Sequence, residues 1–278
     1  MITGATSGIG LAAATEFSRQ GAFVIGVGRS ETRITQALET IKRKCPTSQI
    51  RFLLADLAQQ KEVRALGRAV ESALAEKQFD HLDILINNAG VYLENKQFTD
   101  ENIEKTFAVN HLAGFALTHE LLSLLEGSKI GRVMTISSYA HRTTPMNLKR
   151  ISNPCPYIGL LAYKRSKLCN ILFTSELNRR YQSIEAFAID PGLVDTAIAS
   201  KSKPGISNWV WQRRRKKGTG TDVPIKTLFF LANPTNMNPA MGYYIRDSKT
   251  QTPSRNARRA DLAKKLWSLS CQLTGIDW

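Results

Sequence analysis

The stretch Thr3-Gly4-Ala5-Thr6-Ser7-Gly8-Ile9-Gly10 leads directly into a helical pattern that runs to Arg19. Glycines in such a turn permit a tight bend and let a pyrophosphate approach the backbone, and the helix N-terminus adds free N–H groups and a partial positive charge. The glycines follow the spacing Gly-x-x-x-Gly-x-Gly. The stretch therefore predicts a nucleotide-binding turn, although glycines before a helix can also be purely structural.

Short apolar runs typical of strands alternate with longer helical patterns along the chain. Strands that are apolar nearly throughout, separated by helices, indicate a parallel sheet covered on both faces, and the right-handed crossover rule makes it doubly wound. The predicted strands are Phe23–Val27, Arg51–Ala55, Leu82–Ile86, Arg132–Ile136, Glu185–Ile189 and Gly242–Ile245. The predicted helices are Ile9–Arg19, Ile34–Lys44, Glu62–Ala75, Asn102–Leu125, Leu160–Tyr181, Pro224–Leu231 and Asn256–Leu273. No repeat or linker divides the chain, so we predict one α/β domain spanning residues 1–278.

Composition excludes several classes of protein. The 278 residues carry a net charge of +15, and contain no apolar run long enough to span a membrane and no Cys-x-x-Cys pair. We therefore expect reduced thiols, no metal site and a cytoplasmic protein. From Lys201 onward there are 15 Lys/Arg against 4 Asp/Glu, so +11 of the charge lies there. A basic C-terminal part of this kind favours binding to anionic partners. The alternative is that it forms a solvated basic surface that keeps the protein soluble.

Tyr163 and Lys167 stand four residues apart within a helical pattern, so the phenol and the ammonium share one face. A nearby Lys⁺ favours the phenolate, and we expect it to lower the pKa of Tyr163 from about 10. Tyr163 would then exchange protons near neutral pH. Alone, this spacing is a weak signal, because a half-buried tyrosine beside a lysine is common.

Other polar residues follow the predicted strands at regular intervals. They are Asp56, Asn87-Asn88-Ala89-Gly90, Asn110, Ser138 and Pro191-Gly192. With the glycine turn and Tyr163/Lys167, they resemble the short-chain dehydrogenase/reductase family in order and spacing, from residue 2 to about residue 200. The sequence Ser137-Ser138-Tyr139-Ala140-His141-Arg142 is similar to the corresponding segment of the retinol-dehydrogenase-like branch of this family. The resemblance implies a Rossmann-type fold.

The resemblance also implies a catalytic tetrad, each member of which makes chemical sense. Tyr163 would exchange a proton with the substrate oxygen, and Lys167 would lower the pKa of Tyr163 and hold the nicotinamide ribose. Ser138 would polarise the substrate oxygen by hydrogen bonding. Asn110 would hold a water that relays protons from Lys167 to solvent. The neighbouring Ser137 is expected to be structural.

The choice of cofactor follows from charge at the end of the second predicted strand. NAD-specific sites place an acid there, whereas an arginine accommodates the 2′-phosphate of NADP. Here the strand ends Val27-Gly28-Arg29-Ser30, and Arg33 could supply a second cation. A guanidinium binds phosphate through paired hydrogen bonds, so we expect NADP(H).

The remaining cofactor contacts implied by the resemblance lie on the glycine turn and after the strands. Asp56 would bind the adenine amino group, Asn87 would line the adenine-ribose side, and Asp190 is expected to cap a turn. The full set of expected cofactor contacts is Gly4, Thr6, Ser7, Gly8, Ile9, Gly10, Arg29, Arg33, Asp56, Leu57, Asn87, Ala89, Gly90, Tyr163, Lys167, Pro191, Gly192, Val194 and Thr196.

Two features depart from the family pattern. Only Met1-Ile2 precede the Thr-Gly pair, so either the first strand is unusually short or Met1 is an internal residue of a longer chain that held a leader. The run Arg213–Lys217 lies in the expected substrate lid, about residues 197–221, which also holds Trp209 and Trp211. Five successive cations form a solvated loop or contact anionic lipid headgroups.

These observations predict an enzyme that transfers a hydride between NADP(H) and a small lipophilic carbonyl or alcohol, such as a retinal-like or steroid-like compound. The alternative is a non-catalytic NADP(H)-binding regulator, against which the intact tetrad argues. We expect no nucleic-acid partner, because the basic end lacks a recognisable reader motif. A peripheral contact with anionic membrane and a homodimer are left open, as is the identity of the substrate.

Overall fold

A single sheet of eight strands forms the centre of the computed structural model, which describes residues 1–192, 220–236 and 242–278. The strands are β1 (Ile2–Thr3), β2 (Val24–Gly28), β3 (Ile50–Leu54), β4 (Ile84–Asn87), β5 (Arg132–Ile136), β6 (Glu185–Ile189), β7 (Tyr244–Arg246) and β8 (Lys249–Thr250). Their order is β3-β2-β1-β4-β5-β6-β7-β8, parallel except for the antiparallel β7–β8 pair. The doubly wound Rossmann-type sheet is confirmed, with its switch point between β1 and β4.

Helices pack on both faces of this sheet. They are α1 (Gly8–Arg19), α2 (Glu31–Lys44), α3 (Gln60–Ala75), α4 (Lys105–Phe107), α5 (Ala113–Glu120), α6 (Leu122–Glu126), α7 (Gly159–Arg180), α8 (Asp222–Ala232) and α9 (Ala260–Thr274). A π-helical segment, Ala108–Leu112, joins α4 to α5, and 3₁₀ turns cover Tyr139–Thr143, Leu148–Arg150, Pro234–Asn236 and Asn256–Arg258. None of the helices in the described ranges combines the length and hydropathy that crossing a membrane requires.

Successive strand residues enter two different cores, which is why the strands are apolar nearly throughout. In β4, Leu85 packs into the core that includes α3 and α5, whereas Ile86 packs into the core that includes α1 and α8. The same alternation places Val133 and Met134 of β5 on opposite faces. Side chains therefore cover both faces, as predicted for a parallel sheet.

Two predicted helices differ from the observed ones, and one observed strand was not predicted. The predicted helix Asn102–Leu125 is divided by the π-helical segment and a break at Leu121. The predicted helix Asn256–Leu273 begins as a 3₁₀ turn before α9. Strand β8 was not predicted, because Lys249 and Thr250 are exposed and show no apolar pattern. That residues 1–278 form a single domain stays a prediction.

Strand β1 has only two residues, and side-chain hydrogen bonds reinforce its pairing with β4. Thr3 Oγ1 accepts hydrogen bonds from the backbone N–H groups of Asn88 and Ala89, each at 3.0 Å. Asn88 Nδ2 donates to the carbonyl oxygen of Thr3 at 2.8 Å and of Gly4 at 3.4 Å. We call these bonds the Thr3–Asn88 cluster. It joins the glycine turn to the segment that follows β4.

Replacing Thr3 with valine should destabilise the fold while preserving the shape of the side chain. The change leaves the Ala89 N–H without its acceptor and removes one of the two acceptors of the Asn88 N–H, which also donates to Ile86. A buried donor left without an acceptor costs about 1–3 kcal/mol. Urea denaturation should show a lower free energy of unfolding for Thr3→Val and a near-native value for Thr3→Ser, which keeps the hydroxyl. Equal stability of the valine variant and the native chain would contradict the role of this cluster.

Candidate active site

The four residues predicted to be catalytic lie together at the carboxyl edge of the sheet. Asn110 is in the π-helical segment, Ser138 follows β5, and Tyr163 and Lys167 occupy α7. A methyl group built on Gly90 would lie 3.4 Å from Asn110 Oδ1 and 3.5 Å from Lys167 Nζ, so Gly90 separates these two side chains. The Ser138 hydroxyl lies close enough to the Tyr163 phenol to lower its pKa, and Lys167 Nζ is 5.7 Å from the Tyr163 ring centre.

Burial determines the protonation of the Tyr163–Lys167 pair. It raises the pKa of Tyr163 to about 12, against the smaller lowering effect of the Ser138 hydroxyl. It also lowers the pKa of Lys167 to about 8. Lys167 Nζ donates to the carbonyl oxygen of Ile136 at 2.9 Å. The expectation that lysine lowers the phenol pKa is wrong for this structure, because desolvation of the phenolate outweighs a cation held against another acceptor.

The Ser138 hydroxyl is positioned by the turn that follows β5. Its Oγ accepts a hydrogen bond from the backbone N–H of Ala140 at 3.2 Å, capping the 3₁₀ turn Tyr139–Thr143. With an oxygen lone pair engaged in this way, the hydroxyl hydrogen is free to point into the site. Ser137 Oγ instead donates to the carbonyl oxygen of Lys167 at 2.8 Å and is buried, as expected of a structural hydroxyl.

The side-chain amide of Asn110 makes two hydrogen bonds with the backbone of Val91, one as acceptor and one as donor. Its Oδ1 accepts from the Val91 N–H at 2.7 Å, and its Nδ2 donates to the Val91 carbonyl oxygen at 3.0 Å. The same Nδ2 donates to Ser166 Oγ at 3.0 Å. The π-helical segment at this position accompanies the inward pairing of Asn110, and such segments are frequent at functional sites. The predicted water relay through Asn110 stays a prediction.

The glycine turn forms a cradle that side chains would fill. Gly4 and Gly8 adopt positive φ values of 65° and 55°, which favour glycine. A methyl group on Gly10 would lie 2.3 Å from the carbonyl oxygen of Gly4, so only glycine allows this close approach. Ser7, exposed at the N-terminus of α1, makes no capping bond with its hydroxyl, and half-buried Thr6 lies beside it. Ile9 is buried beneath the turn.

Residues that follow β3 and β4 border the same edge. Asp56 Oδ1 accepts from the Ala58 N–H at 3.0 Å, and Leu57 is buried beside it. Asn87 Nδ2 donates to Thr118 Oγ1 at 3.1 Å, but Asn87 Oδ1 is buried with no hydrogen-bond partner among the described residues. A small cavity of about 10 Å³ lies between Leu57, Asn87 and Ala89. Asn87 Oδ1 is thus a buried acceptor without a donor, and it borders a cavity. Both features fit a site that binds a polar ligand.

Arg29 and Arg33 extend from the end of β2 and the first turn of α2. Both are exposed, and within the described ranges no acidic residue is ion-paired with Arg29. Ser30 separates them and caps α2 by accepting from the Arg33 backbone N–H. Two guanidinium groups are therefore available on the outer side of the glycine cradle.

Strand β6 ends in the Pro191-Gly192 turn. Asp190 Oδ1 accepts from the Gly192 N–H at 3.1 Å and Asp190 Oδ2 accepts from the Tyr244 hydroxyl at 3.0 Å. These bonds confirm the turn-capping role expected of Asp190. The predicted contacts Val194 and Thr196 lie outside the described residues, as do Trp209, Trp211, the run Arg213–Lys217 and the predicted lid up to residue 219.

A family model for short chain dehydrogenases matches residues 1–206 of this sequence. The chain belongs to that family. As a member of it, this dehydrogenase is an oxidoreductase that uses a nicotinamide cofactor, and the glycine cradle, the orphaned Asn87 Oδ1 and the exposed arginines are a donor and acceptor set that fits a dinucleotide.

The proteins to which this chain is similar match it over 99–100% of its length. Retinol dehydrogenase 12 of Mus musculus is 35% identical over 280 residues, covering 100% of this chain and 86% of that protein. Polyprenol dehydrogenase of Homo sapiens is 28% identical over 290 residues, covering 99% and 84%. A crystal structure of an uncharacterized protein from Mycobacterium paratuberculosis is 30% identical with a TM-score of 0.74, covering 99% and 92%.

Two residues of this dehydrogenase site were not predicted from the sequence. The Tyr92 ring meets the Tyr163 ring edge-on, with centroids 6.1 Å apart. His141, three residues after Ser138, is completely buried beneath the serine turn. The serine-rich motif contained His141, but a turn residue carries no periodic signal that distinguishes a buried side chain from an exposed one.

Proposed function

We propose that this dehydrogenase transfers a hydride between NADP(H) and a lipophilic carbonyl or alcohol, with Tyr163 as the proton donor or acceptor, and that it acts mainly as a reductase. The observation that carries the proposal is the proximity of the Tyr163 phenol and the Ser138 hydroxyl at the edge of the sheet, with Lys167 buried beside them. Two adjacent hydroxyl donors are the arrangement needed to receive one substrate oxygen.

The bound cofactor supplies or accepts the hydride. In reduction, Ser138 donates a hydrogen bond to the carbonyl oxygen, because a carbonyl oxygen can only accept, and Ser138 Oγ itself accepts from the Ala140 N–H. Tyr163 donates its proton to the same oxygen as negative charge develops there. Lys167, held by Ile136 at 2.9 Å, stabilises the resulting phenolate when its side chain is charged.

The protonation states favour the reductive direction. With a pKa of about 12, the Tyr163 phenol keeps its proton at neutral pH and is ready to give it to a carbonyl oxygen. Oxidation would need Tyr163 to begin as a phenolate, which burial disfavours.

NADP(H) is favoured over NAD(H) by the charge at the end of β2. Arg29 and Arg33 are exposed beside the glycine cradle, and the residues from Gly28 to Ser30 include no acid that would repel a 2′-phosphate. An arginine fork recognises phosphate through paired, charge-assisted hydrogen bonds.

A lipophilic substrate is supported by two observations. The similar proteins are named for retinol and polyprenol, which are long apolar alcohols. Tyr139, the residue directly after Ser138, presents an aromatic ring that is 57% exposed. Nothing in the described part of the chain favours the non-catalytic regulator. Contact with anionic membrane and homodimer formation stay predictions.

Screening NADPH oxidation against a panel of lipophilic aldehydes and ketones tests the proposal. We expect turnover with at least one long apolar carbonyl, and weaker turnover with short polar ones. Absence of turnover across the panel, with NADPH binding intact, would favour the regulator instead.

Changing Tyr163 to phenylalanine should abolish reduction and leave NADPH binding nearly unchanged. The variant lacks one hydroxyl and little volume, and general acid catalysis is worth about 10²–10⁴-fold in rate. The matched control is Tyr181→Phe at the far end of α7, which should keep full activity. A Tyr163→Phe enzyme that retains more than roughly a tenth of the native kcat would exclude Tyr163 as the acid.

Changing Arg29 to alanine should weaken NADPH binding and barely affect NADH binding, because NADH lacks the 2′-phosphate. Hydrogen bonds to charged groups contribute about 1.5–3 kcal/mol, so the NADPH Kd should rise roughly ten- to a hundred-fold. Fluorescence titration with both cofactors measures the difference. Arg43→Ala, an exposed change in the last turn of α2, is the control; equal weakening for both cofactors in Arg29→Ala would make Arg29 structural.

The rate of reduction should fall as the pH rises above about 8. Burial lowers the pKa of Lys167 to about 8, so the ammonium that stabilises the Tyr163 phenolate is present below that pH and lost above it. The Tyr163 proton itself is held until about pH 12. Steady-state kcat measured from pH 6 to 10 in one buffer series checks this; a flat profile would contradict the role given to Lys167.

A further inference from the structure

His141 connects the catalytic serine turn to a distant part of the chain. Its side chain is 0% exposed, and its Nδ1 lies 2.7 Å from the carbonyl oxygen of Ser138. Its Nε2 lies 3.1 Å from the backbone nitrogen of Ser254. The mechanism above uses Ser138 but assigns no role to this histidine.

The two contacts determine the tautomer of His141. A backbone N–H can only donate, so Nε2 must accept the hydrogen bond from Ser254. The ring proton then resides on Nδ1 and is donated to the Ser138 carbonyl oxygen. Only a neutral imidazole with this tautomer satisfies both partners.

The surroundings of His141 keep the imidazole neutral. Burial lowers its pKa, and the nearby Arg142 acts in the same direction, whereas the hydrogen bond to Ser138 and the charge of Asp190 oppose it. The Tyr244 ring meets the imidazole edge-on, with centroids 5.1 Å apart.

Two further bonds join the same turn to the segment 252–256. Arg142 Nη2 donates to the Thr252 carbonyl oxygen at 2.5 Å, and Asn256 Nδ2 donates to the Thr144 carbonyl oxygen at 3.3 Å. Of these side chains, His141 alone also contacts Ser138. The segment 252–256 lies beyond the residues that the family model matches, which end at residue 206.

We propose that His141 is a positioning residue for the reaction: its neutral imidazole fixes the Ser138 peptide against Ser254 and thereby directs the Ser138 hydroxyl toward the substrate oxygen. The Ser138 hydroxyl is anchored by the Ala140 N–H only two residues further along, so rotation of the Ser138 peptide would turn the hydroxyl away. This inference rests on the proposed function, in which Ser138 binds the substrate oxygen.

Two amide substitutions separate the two contacts. In His141→Asn the side-chain nitrogen stands near the position of Nδ1 and can donate to Ser138. In His141→Gln the amide reaches the position of Nε2 and can accept from Ser254, but no side-chain donor remains for the Ser138 carbonyl oxygen, which keeps only the backbone N–H of residue 141 at 3.2 Å. A misplacement of about 1 Å in an active site can cost on the order of 10²-fold in rate. We therefore expect kcat to fall by at least about tenfold in His141→Gln and to stay within about threefold in His141→Asn, with the NADPH Kd unchanged in both.

The pH profile supplies a readout that simple packing would not change. In the native enzyme, protonation of Nε2 would set two N–H donors against each other at Ser254 and place a charge on a buried ring. The ring and the Ser138 peptide should then move, so kcat should fall on the acid side, below the ordinary histidine pKa of about 6.5. His141→Asn should lack this acid limb. A limb that persists in His141→Asn would instead report Asp190, the carboxylate that faces the ring.

The outcomes distinguish this inference from the proposed function. Equal kcat losses in the two variants, or no loss in either, would overturn the positioning role. ¹⁵N NMR of the native protein checks the tautomer even if a variant fails to fold, and a proton found on Nε2 would also overturn it. A native enzyme that reduces no carbonyl would instead refute the proposed function, and the His141 inference with it.

Discussion

The Thr3–Asn88 cluster is the contact on which the arrangement of the site depends. Strand β1 has two residues, too few for its ladder alone to fix the turn that follows it. The threonine hydroxyl and the asparagine amide add bonds of 2.8–3.0 Å between the start of the glycine turn and the segment after β4. Gly90, two residues beyond Asn88, lies against Asn110 and Lys167. The glycine cradle and the residues proposed to move protons are therefore connected by one group of hydrogen bonds.

Burial then decides the chemistry of those residues. The carbonyl oxygen of Ile136, at the end of β5, accepts hydrogen bonds from both Lys167 at 2.9 Å and Asn170 at 3.0 Å, so the sheet itself holds the lysine in place. In this dry setting the lysine loses its proton more easily and the phenol of Tyr163 keeps its proton more firmly. A protonated donor beside a charged, poorly solvated lysine is suited to the reduction of a carbonyl.

Much of the fold was predictable because the inner strands β2, β4, β5 and β6 are largely buried on both faces and therefore apolar nearly throughout. The family resemblance grouped Asn110, Ser138, Tyr163 and Lys167 as one site, and the structure places them at the same edge of the sheet; their catalytic roles stay predictions. Long-range contacts were not predictable: the helix is π-helical at Asn110, whose amide pairs with the backbone of Val91, 19 residues away. The pKa of Tyr163 was predicted in the wrong direction, since spacing reveals the neighbouring lysine but not the desolvation. His141 escaped for the same reason, because its partner Ser254 is 113 residues away.

The most direct test of hydride transfer at this site is isotopic. NADPH carrying deuterium on one face of nicotinamide C4 should be incubated with an active lipophilic aldehyde, and the product alcohol analysed by mass spectrometry. Because the proposed site would hold the cofactor in one orientation against one substrate oxygen, the account predicts deuterium in the alcohol from one labelled face and none from the other. Alcohol without deuterium from either face, or equal labelling from both, would contradict it.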